Sequence, residues 1–335
     1  MSGLKELAFR LSIQEVRARK QDMSSSKKIL VAVDGSSQSL NTVNYVVLNF
    51  PPEDLEVNLI YVMPTAPEPF WDLEKIGFFK KMTEKKNEEY LSKEKEAAQL
   101  FLDQASNLLS RAGIADDHLR VILNPRQVGI ARDIIAESSR GYDAVVVGRR
   151  GLSKFEDIYL GSVSYKIVQA VGDTPVWVVG DGIKSRKMLL PVDSSDNSRK
   201  AVDYAGTFAA ANGAEVTLFN AVREFSLELL DISTPGGAEI EAHILEELER
   251  DVQKMFDAYK RRLEDAGVEA RRISSKYTLQ SRSRAEDIIE AAKEGEFGTI
   301  VMGRRGLSRV HEFSLGRVTT KVLHRADHFA LWIIS

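Results

Sequence analysis

The chain has 335 residues, 43% hydrophobic and 28% charged, with a formal net charge of −3 and no cysteine. That length predicts two domains of about 150 residues, and the charge balance excludes the basic footprint of a nucleic-acid binder. The missing cysteine excludes disulfides, thiol catalysis and thiolate metal sites and suits a reducing compartment, while no apolar run nears the roughly 20 residues that cross a bilayer.

Residues 1–27 carry Leu4, Leu7 and Leu11 at helical spacing and are predicted to form a helical extension. Lys5, Glu6, Arg10, Gln14 and Glu15 break the apolar character there, so no secretory signal is read and a cytoplasmic protein is expected. From residue 28 the pattern is strand and helix in alternation. Strand-like runs lie at 28–34, 57–63, 119–124, 143–148 and 175–180, and again near 187–193, 215–222, 270–277, 298–303 and 330–335. Helical spacing fills the gaps, as with Leu40, Val43 and Val47, or Ile130, Ile134 and Ile135. Strands apolar on both faces, alternating with helices, predict parallel sheets covered on both sides, and right-handed crossovers make them doubly wound.

The chain is duplicated. KILVAVD at 28–34 returns as KMLLPVD at 187–193, and GRRGLSK at 148–154 returns as GRRGLSR at 303–309, at offsets of 159 and 155. Near-constant offsets between distant segments point to two copies of one unit. The predicted domains are therefore 28–181 and 186–335, joined by the short segment DGIKSRK at 181–187. A linker of that length holds two domains together.

The first copy carries a candidate anion site. Gly148 and Gly151 flank Arg149 and Arg150 directly after the strand DAVVV, and Gly161 and Ser162 open the helical pattern SVSYKIVQAV. The spacing is G-x2-G-x9-G-S. Glycines let the backbone bring its N–H groups against an anion, and a helix start adds unpaired donors and the positive end of its dipole. Ser162 supplies a hydroxyl, Ser164 a second one, and Arg149 and Arg150 are placed to meet outer phosphate oxygens. Asp34 ends the first strand, at the sheet edge where ligands of such folds bind. Two roles suit it: acceptor for ribose hydroxyls or anchor for Mg²⁺, and cap of the following helix.

With its V-D first strand and this loop, the sequence resembles the universal stress protein family, in two consecutive copies over 28–335. The resemblance implies an adenine-nucleotide-hydrolase-like, Rossmann-like α/β fold with two tandem five-stranded parallel sheets in the order 3-2-1-4-5. It implies ATP, or AMP or ADP, as ligand, with Mg²⁺ near Asp34. Carried over residue by residue, Ala32, Val33 and Val62 line the adenine. Asp34 takes the ribose, and Val147, Gly148, Arg149, Gly151, Gly161, Ser162 and Val163 surround the phosphates. The second copy offers Val192, Asp193, Ala221, Gly303, Arg304, Gly306, Gly316, Arg317 and Val318. Arg317 stands where the motif has Ser or Thr. It either contacts phosphates or lies across an empty pocket onto Asp193, with Thr319 and Thr320 as substitute hydroxyl donors, and a degenerate second site is the expectation.

In the family, the fifth strand pairs with that of a second subunit. PVWVVG at 175–180 and ALWIIS at 330–335 are expected to do this within one chain as a pseudo-dimer, a homodimer of whole chains being compatible. Phe70, Trp71, Phe78 and Phe79 are read as packing inward on the sheet, with a nucleotide lid or an interface as the alternatives. No catalytic set is visible. The five histidines, His324 and His328 among them, lack partners at metal spacing, and no other nucleotide or nucleophile motif occurs. The expected activity is nucleotide-dependent stress response or regulation, against the alternatives of a ligand-free scaffold and a slow ATPase.

Overall fold

The computed structural model describes residues 26–64, 80–151, 160–223, 237–306 and 315–335. The predicted helix within 1–27 and the aromatics Phe70, Trp71, Phe78 and Phe79 lie outside the described residues. The first half runs β1 (Lys27–Val33), α1 (Ser37–Asn49), β2 (Leu55–Met63), α2 (Lys80–Arg111), β3 (Leu119–Pro125), α3 (Ile130–Ser138), β4 (Ala144–Gly148), α4 (Ser162–Ala170) and β5 (Val176–Val179). The second repeats it as β6 (Met188–Pro191), α5 (Asp196–Asn212), β7 (Val216–Arg223), α6 (Gly237–Asp265), β8 (Ile273–Ser281), α7 (Arg284–Glu294), β9 (Thr299–Gly303), α8 (Arg317–Arg325) and β10 (Ala330–Ile334).

The strands form one ten-stranded sheet in the order β3-β2-β1-β4-β5-β10-β9-β6-β7-β8. Each half keeps the order 3-2-1-4-5 with parallel pairing, and β5 meets β10 antiparallel with Trp177 opposite Trp332. The two predicted sheets are thus halves of a single sheet. Alternation along the strands explains the two-layer cover. Ile29, Val31 and Val33 face a core roofed by α1, α2, α5 and α6, while Leu30 faces a second core under α3, α4, α7 and α8. Both cores run through both halves, so the repeats share their interior instead of merely touching.

Pairing β5 with β10 covers two apolar edges that would otherwise invite aggregation. The join is aromatic. The Trp177 and Trp332 rings stack at 4.3 Å between centroids, and Phe50 stacks on Trp177 at 5.1 Å. The indole of Trp332 donates to the Tyr45 hydroxyl at 2.8 Å, which also lies 2.8 Å from the Thr299 hydroxyl. Tyr204, the duplicate of Tyr45, donates to the Asp143 carbonyl at 2.9 Å. Burial pushes the ionisation of both tyrosines upward, which keeps them neutral donors. The linker is held by backbone: Gly298 N–H donates to Lys187 O at 3.1 Å, and a Cβ on Gly298 would stand 1.9 Å from Ser185 O. No helix among the described residues is long and apolar enough to cross a membrane.

Candidate functional site

The site is built from the carboxyl ends of β1 and β4. After β1 the chain turns through Gly35, whose φ of +83° is left-handed and suits glycine. Ser36 caps α1 by accepting from Ser39 N–H at 3.2 Å. Ser36 N–H donates to Asp34 Oδ1 at 3.0 Å, and the Ser39 hydroxyl donates to the same oxygen at 2.6 Å. One carboxylate oxygen is therefore fixed by the turn, and the helix cap is Ser36 instead of Asp34. The other oxygen, Oδ2, faces the loop after β4: a Cβ placed on Gly151 would stand 2.2 Å from it. Gly151 is glycine because Asp34 occupies the space a side chain would need. The serines were the residues that motif reasoning missed, although their D-x-S-x-x-S spacing is present in both copies.

The loop closes on itself before α4 begins. Gly161 N–H donates to Arg149 O at 2.8 Å, and Arg149 N–H donates to Val179 O at 2.8 Å. Gly161 is the N-cap of α4 with an extended backbone and no side-chain cap. The first-turn amides of α4 have no intrahelical acceptor, and Ser162 is exposed there with Val163 half-buried beside it. Nε of Arg150 is buried with no hydrogen-bond partner among the described residues. An uncapped helix start, an exposed hydroxyl and, on Arg150, an orphaned guanidinium nitrogen adjoin the loop glycines, which is the kind of donor set an anion requires. Ala32 and Val163 are half-buried, whereas Val33, Val62 and Val147 are buried, at the same sheet end.

Several expectations need correction, three of them at side chains of the glycine loops and α4. Arg149 does not direct its guanidinium at a phosphate position. It is 2% exposed and crosses to the second half, where it donates to Leu323 O at 2.6 Å and Ala326 O at 3.3 Å and pairs with Asp327 at 2.8 Å. Burial lowers its pKa, opposed by Asp327. The Ser164 hydroxyl is likewise committed, donating to Gly148 O at 2.7 Å. Arg304, offered to the second site, is 9% exposed and donates to Val168 O at 3.2 Å and Val171 O at 2.7 Å in the first half.

The second copy reproduces the frame. Ser195 N–H and the Ser198 hydroxyl donate to Asp193 Oδ1 at 3.0 and 2.7 Å. A Cβ on Gly306 would lie 2.6 Å from Asp193 Oδ2, and Gly316 N–H donates to Arg304 O at 2.9 Å. Nε of Arg305 is orphaned as is that of Arg150. The departures are local. Asn220 donates to Val192 O at 2.7 Å and Tyr259 to Asp193 O at 2.6 Å. Val192 and Ala221 are buried and Val318 is half-buried, but Arg317 is exposed at the first turn of α8 and so does not lie closed over Asp193. The Thr319 and Thr320 hydroxyls are spent as donors on Gly303 O at 3.1 Å and Gly316 O at 3.0 Å. Among the described residues no cluster of His, Asp and Glu could hold a metal ion on its own.

Against known proteins, the model of the universal stress protein family matches residues 25–180 and 184–331. The universal stress protein YxiE of Bacillus subtilis is 31% identical over 140 residues, 41% of this chain and 90% of that protein. One from Methanocaldococcus jannaschii is 23% identical over 151 residues, 42% of this chain and 90% of that one. Among solved structures, a universal stress protein from Archaeoglobus fulgidus aligns over 93% of this chain and 97% of its own, with a TM-score of 0.60 and 21% identity.

Proposed function

The chain belongs to the universal stress protein family, and from that premise we propose that its first half binds an adenine nucleotide of the ATP class and that the chain acts in stress response or regulation. The observation that carries this reading is the uncapped first turn of α4, with exposed Ser162, tied through the Arg149 carbonyl to the loop whose Gly151 lies against Asp34 Oδ2. In this reading the amides of Ser162 and Val163 and the backbone of Gly148–Gly151 hold the phosphates. Asp34 Oδ2 accepts from the ribose or anchors the magnesium ion, and Ala32, Val33 and Val62 line the base. Val147 and Gly161 fix the loop, and Arg149 acts only through its backbone. The copies are taken to span 28–181 and 186–335, in a protein working in the cytoplasm.

The second half is read as degenerate. Asn220 and Tyr259 occupy the carbonyls of Val192 and Asp193, and Arg317 displaces the motif hydroxyl. Of the three arginines whose capture would mark a ligand-free scaffold, Arg149 is held by an ion pair, whereas Arg150 keeps an orphaned Nε and Arg317 is exposed. The sequence carries no recognisable catalytic set, so regulation rather than turnover is favoured. Calorimetric titration of the purified chain with ATP tests the reading. Saturable binding that weakens in Ser162→Asp, where a carboxylate repels phosphate, supports it; no heat at millimolar ATP overturns it.

A further inference from the structure

Two buried arginines connect the candidate sites, and their connections form a closed circuit. Arg149 accepts from the N-cap of α4 through its carbonyl, while its guanidinium holds the last turn of α8 at Leu323 and Ala326. Arg304 accepts from the N-cap of α8, Gly316, while its guanidinium holds the last turn of α4 at Val168 and Val171. Each helix therefore begins at one loop and ends in the grip of the other. The chemistry is apt, because the last carbonyls of a helix are orphan acceptors at its negative end, and a planar guanidinium satisfies two at once. Helices of nine residues behave as rigid rods of about 14 Å.

Resting on the nucleotide reading above, we infer that Arg149 and Arg304 are positioning residues that couple the two loops, so that ligand held at α4 changes how tightly α8 is held. The motion is defined by Gly151. A Cβ there would meet Asp34 Oδ2 at 2.2 Å, so the loop now rests against the carboxylate. A ligand that reaches both the Gly151 backbone and Asp34 Oδ2 has to part that contact. Arg149 is two residues from Gly151 and cannot shift without moving Leu323, Ala326 and Asp327. Both guanidinium groups are nearly excluded from solvent, and a buried charge does not release its acceptors cheaply. The grips are unequal, because Arg149 also pairs with Asp327 whereas Arg304 has Gly172 at the matching place.

The test uses the full chain and ATP. Arg304→Gln touches no atom of the first site, yet it is expected to weaken ATP binding there by about 5-fold or more, the usual floor of a coupling between sites. Arg304→Lys is expected to restore part of the loss. In the wild-type chain, saturating ATP is expected to alter hydrogen exchange across 317–326, and Arg149→Lys, still binding ATP, to abolish that change. A merely structural arginine would lower the unfolding temperature without moving either readout. ATP binding by the wild type with unchanged exchange at 317–326, or equal affinity in a folded Arg304→Gln, overturns the coupling and leaves the site intact. No ATP binding by the wild type overturns the site and the coupling together.

Discussion

The two halves share a frame and differ in what fills it. Asp34 and Asp193 are held by the same pair of serine donors, 3.0 and 2.6 Å in one half and 3.0 and 2.7 Å in the other. Both aspartates face a loop glycine, and both loops are tied to the next helix through an arginine carbonyl. Yet the first turn after the strand uses left-handed Gly35, whereas the second uses Ser194. Opposite that turn, Tyr61 lies 3.6 Å from where a Gly35 Cβ would be, and its pKa is raised by burial and by the charges of Glu94 and Asp34. In the second half the equivalent strand position is Asn220, bonded to backbone. The lesson is that duplication preserved the carboxylate and the glycine loop, while the turn after the first strand and its neighbour on the second strand diverged.

The largest effect is expected where the halves meet. Trp332→Ala should cost about 3–5 kcal/mol in denaturant unfolding, as emptied aromatic positions do. Trp177→Ala should cost less, because Trp332 also supplies the hydrogen bond to Tyr45. Next comes the loop. Gly151→Val should weaken ATP binding about 100-fold, or about 2.7 kcal/mol, since its Cβ stands 2.2 Å from Asp34. Gly306→Val, its duplicate, should weaken that affinity less, by about 5-fold, and only through the grip of Arg304 on α4. Equal losses in both variants would show that binding does not rest on the first loop alone. A smaller effect is expected at Gly180, where a Cβ would meet Asp327 O at 2.3 Å: Gly180→Ala should destabilise by about 1–3 kcal/mol, read as a lower unfolding temperature. Smallest, and equal in the two halves, are the caps. Ser36→Ala and Ser195→Ala should each cost about 1 kcal/mol within one shared transition, and two separate transitions would show that one repeat folds independently of the other.

Much of this was legible because it is local. The strand α1 follows, the bounds of α1 at 37–49 and the loop glycines are all set by apolar periodicity and turn chemistry, which neighbouring residues determine. The pairing of 175–180 with 330–335 was expected from the family resemblance, together with two apolar segments that each needed a cover. The destination of Arg149 was not. In the sequence it stands between two glycines of an anion loop, and nothing nearby says that a helix end 174 residues away offers better acceptors.

The sequence alone determined the repeat, the alternation of strand and helix in each half and the place of the candidate site, because these follow from short-range pattern; the strand order was implied only by the family resemblance. Tertiary structure alone decided that the halves share two continuous cores, that Ser164, Thr319 and Thr320 donate inward, and that Arg149 and Arg304 belong to the opposite half. The reason is physical: a buried donor takes whichever acceptor the packed fold brings within about 3 Å, and only the assembled chain brings them there.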